Sequence, residues 1–132
     1  MFKYNFKIYY EDTDSGGVVY YANYLKFIER ARTEMIGEFG FTLTTLLEDH
    51  DSLFLVKKIE CDYIQSCKLE DTLNVQSRVL FFKKASFELE QQIFKQNKII
   101  FNSKILMVCV NSQGVPSKIP EELSSLMKKK DG

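Results

Sequence analysis

The chain has 132 residues, is 45% hydrophobic, and sets 18 Lys and Arg against 18 Asp and Glu, so it offers no field of one sign to gather nucleic acid or an anionic membrane. A chain of this length buries roughly two thirds of its extended surface and reads as one domain over residues 1–132. Its three cysteines show no CxxC spacing for zinc, and no apolar stretch approaches the roughly 18 residues of a membrane span, so the expected class is a soluble, cytoplasmic protein with reduced thiols.

In the first eleven residues Phe2, Tyr4, Phe6, Ile8 and Tyr10 alternate with Lys3, Asn5, Lys7, Tyr9 and Glu11, which predicts a strand with one buried face. From Ala22 the period changes. Tyr24, Phe27, Ile28, Ala31 and Met35 recur at three and four, predicting a helix of about four to five turns that stops near Gly37 and Gly40. Leu25 and Ile36 make its other side apolar as well, so the helix is expected to be covered on most sides.

The segment FTLTTLLEDHDS predicts a short helical or irregular piece before a four-strand antiparallel meander at about 53–64, 72–83, 85–96 and 98–110. Leu73, Val75, Val79 and Phe81 share one face of the second of these strands, and Phe87, Leu89 and Ile93 one face of the third. FFKKASF and KQNKI read as hairpin turns, and NSQG ends the last strand. The tail PEELSSLMKKKDG predicts a short, frayed helix with a basic last turn. One long helix and five strands give an α+β fold in which a curled five-stranded antiparallel sheet wraps the helix. Its bare edge invites a second copy, so a homodimer is expected.

The chemistry concentrates between first strand and helix, in EDTDSGGVVYYAN. Glu11, Asp12 and Asp14 precede Gly16 and Gly17, whose freedom lets main-chain N–H groups approach a ligand, and the helix aims its positive end at the same turn. Free amides can polarise a carbonyl while a carboxylate attacks it or takes a proton from water, so acid and helix end are expected to share a pocket. The same residues also serve as turn formers and helix caps, a reading that needs no chemistry. His50, the only histidine, lies among Glu48, Asp49 and Asp51 in consecutive positions that do not converge on a metal. Glu29 and Arg32 read as formers of helix or interface salt bridges.

The stretch YYEDTDSGGVVYYANYLKFIERAR resembles the strand, turn and central-helix motif of the hot-dog-fold thioesterases, in particular the YbgC-like acyl-CoA thioesterases and, more distantly, 4-hydroxybenzoyl-CoA thioesterase. The resemblance runs over nearly the whole chain. It implies hydrolysis of acyl-CoA to CoA and a carboxylic acid without metal or other cofactor, with Asp14 as nucleophile or general base. It also implies that the Tyr21 main-chain N–H polarises the thioester carbonyl, that Gly17, Val18 and Tyr20 contact substrate, and that Lys83, Lys84 and Ser86 meet the CoA phosphates, although FFKKASF also reads as a plain solvated turn. YbgC-like chains carry His in GVVYH where this one has Tyr21, whose phenol, with a pKa near 10, is no base at neutral pH. The resemblance further implies a site at a dimer interface and a homotetramer built from two dimers. Two other readings stay open: a non-catalytic subunit binding acyl-CoA or acyl carrier protein, and a hot-dog dehydratase.

Overall fold

The computed structural model describes residues 1–131. Strand β1 (Phe2–Lys7) is followed by helix α1 (Asn23–Glu38), helix α2 (Leu43–His50), and strands β2 (Leu53–Tyr63), β3 (Thr72–Phe82), β4 (Ser86–Lys95) and β5 (Lys98–Val110), with helix α3 (Glu121–Asp131) last. Four predicted strand spans thus fall within about a residue of their positions, because each is bounded by turn chemistry that ends a ladder, such as Gln96 at φ 56° in the β4–β5 hairpin.

The sheet is fully antiparallel in the order β1-β3-β4-β5-β2, so only β3, β4 and β5 form a meander. The expected four-strand meander is corrected here: β2 pairs with β5 rather than β3. Residues 64–71 cross the end of the sheet instead, with the Ile64 and Gln65 amides donating to the Ile100 carbonyl and the Glu70 amide to the Ile8 carbonyl.

One side of α1 seats Tyr24, Phe27, Ile28, Ala31 and Met35 against the inner face of the sheet, as their spacing requires. Leu25 stays exposed, so the helix is not covered on all its apolar sides. A polar row crosses the centre of that inner face. Ser77, Gln91 and Ser103 are direct partners on β3, β4 and β5, all buried. The Gln91 amide donates to the Ile28 carbonyl of α1 (3.0 Å) and to Ser77 Oγ (2.9 Å), while its oxygen accepts from Arg32 Nη1 (3.0 Å). Two small serines leave room for the helix, and every polar group in the row has a partner.

Two further expectations need correction. β1 ends at Lys7, and Tyr10, expected inside, is 82% exposed, because a 3-10 turn over Tyr10–Asp12 breaks the alternation. On β3 the register shifts between Val79 and Phe81, so Phe82 pairs with Phe87 and packs inward while Phe81 faces out. The expected C-terminal helix forms as α3, and its Leu123 and Met127 are completely buried in the core.

Candidate active site

The acidic turn owes its shape to main-chain bonding. The Asp14 amide donates to the Val18 carbonyl (2.9 Å) and the Gly17 amide to the Asp14 carbonyl (3.1 Å), closing a tight hairpin in which Gly17 takes φ 82°. A side chain at Gly17 would meet nothing, so glycine is needed there for its backbone angle alone. Thr13 bridges Val19 at the base of this hairpin, and Val18 bridges Lys68.

The three acids part company. Asp12 is buried, and its carboxylate accepts from the Tyr9 amide (2.9 Å). Its carbonyl receives the Tyr20 amide (3.0 Å) and Asn23 Nδ2 (2.9 Å), which ties the turn to the start of α1. Asp14 is exposed, and among the described residues its Oδ1 alone is engaged, by the Gly16 amide at 2.8 Å. Glu11 is exposed as well.

Helix α1 begins without a side-chain cap, since its N-cap position is Ala22. The Asn23, Tyr24 and Leu25 amides turn back onto the carbonyls of Tyr20, Tyr21 and Ala22, leaving the Tyr21 and Ala22 N–H groups with no acceptor among the described residues. Asp14 therefore does not serve as a helix cap, and the helix end keeps two free donors. Tyr21 itself is 62% exposed, its ring 4.9 Å from that of Tyr20. A hydrogen bond with the Tyr21 hydroxyl pushes the Tyr20 phenol above its ordinary range.

Beneath this surface the aromatic end of the core is closed by Tyr24, which stacks on Phe101 at 5.2 Å and meets Cys67 Sγ at 3.3 Å. Burial raises the pKa of both the Tyr24 phenol and the Cys67 thiol, so neither ionises near neutrality. One residue escaped the sequence reading. Tyr63, at the end of β2, donates its hydroxyl to the Tyr21 carbonyl (3.1 Å) and packs edge-on against Tyr21, Tyr24 and Phe101. No local periodicity signals it, because its partner lies 42 positions away.

Lys83, Lys84 and Ser86 sit at the opposite end of the sheet. The Lys83 amide donates to the Ser86 carbonyl (2.8 Å), and Lys83 Nζ lies 5.8 Å from the exposed Phe81 ring. The acidic turn packs against residues 67–71, just ahead of β3, whereas the lysines follow its far end. The 11 residues of β3 span about 33 Å at about 3.3 Å each, so one chain does not bring Lys83 to Asp14. An apolar cavity of about 200 Å3 lies between Arg32, Met35 and Ile36 of α1 and Phe54, Phe87 and Met107 of the sheet. His50 packs its ring on Phe41, and no group of three potential metal ligands occurs among the described residues.

Residues 9–126 match the thioesterase-like superfamily. The acyl-CoA thioesterase YbgC of Haemophilus influenzae is 38% identical over 125 residues, covering 94% of this chain and 92% of that one. The acyl-CoA thioester hydrolase YbgC of Escherichia coli O6:H1 is 34% identical, covering 93% and 92%. Among solved structures, a probable thioesterase from Bartonella henselae superposes with a TM-score of 0.86 at 29% identity, covering 89% of this chain and 98% of that one.

Proposed function

Since the chain belongs to the thioesterase-like superfamily, we propose that it is an acyl-CoA thioesterase: water cleaves the thioester C–S bond, yielding a carboxylate, CoA thiol and a proton. The reading rests on one observation above all, an exposed Asp14 carboxylate one hairpin away from two unbonded amides at an uncapped helix start. The Tyr21 amide takes up the charge developing on the thioester oxygen, helped by the positive end of α1. Asp14 attacks the carbonyl carbon or removes a proton from the attacking water. The substitution of Tyr21 for histidine leaves this intact, because the donor is the main chain.

Gly17, Val18 and Tyr20 flank the acid on the exposed side of the hairpin and bound the reacting end of the substrate. Lys83, Lys84 and Ser86 receive the nucleotide phosphates of CoA, as mobile charges suit an exposed phosphate. With about 33 Å of strand between them and Asp14, acid and phosphate site belong to different subunits. The free edge of β2 carries exposed Leu55, Val56, Ile59 and Tyr63, a surface that suits pairing with a second copy. Such a homodimer, doubled to a homotetramer, completes the site. A dehydratase is disfavoured, since His50 stands on α2 and not at the turn.

Reversing both lysines tests the phosphate site. Lys83→Glu with Lys84→Glu should raise KM for an acyl-CoA about ten-fold or more, while leaving hydrolysis of the corresponding N-acetylcysteamine thioester, which has no phosphates, unchanged. Equal loss on both substrates would place the nucleotide elsewhere.

A further inference from the structure

Both free amides at the start of α1 belong to peptide units whose carbonyls are themselves hydrogen-bonded. The Tyr21 N–H shares its peptide plane with the Tyr20 carbonyl, which accepts the Asn23 amide at 2.9 Å. The Ala22 N–H shares its plane with the Tyr21 carbonyl, where the only helical bond, from the Tyr24 amide, is long at 3.4 Å. Tyr63 Oη supplies the shorter one at 3.1 Å.

We infer that Tyr63 is a positioning residue for the thioester-binding amides: its hydroxyl fixes and polarises the Tyr21–Ala22 peptide so that the Ala22 N–H acts beside the Tyr21 N–H as a second donor to the thioester oxygen. The inference rests on the proposed thioesterase reading and adds to it a second donor and the group that orients it. Hydrogen bonds in sequence strengthen one another, so a donor on the carbonyl oxygen makes the N–H of the same unit a stronger donor. Orientation matters as much. A peptide at an uncapped helix end, outside the regular ladder, is free to tilt unless its carbonyl is held. Tyr63 is suited to hold it, because its ring is gripped edge-on by Tyr24 at 5.4 Å and Phe101 at 5.1 Å, which fixes the hydroxyl. Burial raises the Tyr63 pKa, so the hydroxyl keeps its proton and remains a donor through the neutral range.

The test is Tyr63→Phe, which keeps the ring and its contacts and deletes only the hydroxyl. Loss of one such bond predicts a fall in kcat of about three- to ten-fold with KM unchanged. A second measurement does not depend on turnover: the infrared carbonyl band of an acyl-CoA bound to Asp14→Asn should lie below its position in free substrate, and Tyr63→Phe in that background should move it back. A change in KM alone, or an identical bound band with and without the hydroxyl, overturns the assignment of Tyr63. A parent protein that binds acyl-CoA with the band unshifted overturns the whole amide site, and with it the thioesterase mechanism.

Discussion

Replacing Gln91 by Leu keeps the volume of the side chain and strips the centre of the core of a bridging amide. Three bonds disappear: from Gln91 to Ser77, from Gln91 to the Ile28 carbonyl, and from Arg32 to Gln91. The Ile28 carbonyl lies within α1 and remains in the helical ladder, so its loss is small. Ser77 is left with a buried hydroxyl, and a stranded buried polar group costs about 1–3 kcal/mol. Arg32 loses a charged hydrogen bond of about 1.5–3 kcal/mol, reduced because the guanidinium borders the open apolar cavity and can rehydrate there. The sum is a destabilisation of about 2–4 kcal/mol, read by urea unfolding of parent and variant at the same protein concentration. Arg32→Met should then cost less in the Gln91→Leu background than in the parent, by about 1 kcal/mol, since the two share one bond. A Gln91→Leu protein within about 0.5 kcal/mol of the parent would refute the claim that this row is a satisfied network rather than a packing spacer.

Two more perturbations probe the turn. Gly17→Ala should cost about 1–2 kcal/mol in unfolding free energy despite the open space around it, because the residue sits at φ 82°; a neutral result would mean that the hairpin relaxes freely. Tyr21→Ala keeps the main-chain donor and should change kcat only a few-fold, whereas Tyr21→Pro removes it and should lower kcat by about 100- to 1,000-fold in steady-state hydrolysis. Equal losses in both would assign the work to the Tyr21 side chain.

Much of this arrangement is legible in the residues themselves. Alternation in β4 and the three-four spacing of α1 state which side faces the core, and turn residues such as Gln96-Asn97 bound the strands. Strand order is not legible, because β2 and β3 look like neighbours in sequence while residues 64–71 carry the chain across the sheet end. The bulge at Leu80 escapes for a similar reason: an apolar run such as Val79 to Phe82 satisfies either register, and only the pairing of Phe82 with Phe87 decides. Tyr10 misleads by continuing the alternation past the point where Asp12 draws the Tyr9 amide into a turn. At the candidate site, the acidic and glycine-rich turn that carries Asp14 and Gly17 stands out through composition. Tyr63 does not, being one aromatic residue among many on an exposed strand, and the polar row through Gln91 is concealed because Ser77 and Ser103 resemble surface positions.

In the proposed mechanism the Asp14 carboxylate drives hydrolysis of acyl-CoA. Thiol release from a panel of short, long and aromatic acyl-CoAs, comparing the parent with Asp14→Asn, tests it most directly, since the amide preserves the shape of the turn and removes the charge. The parent should turn over part of the panel, and the variant should lose about two orders of magnitude or more in kcat while still binding substrate. Undiminished turnover in the variant, or binding without turnover by both proteins, would contradict that mechanism.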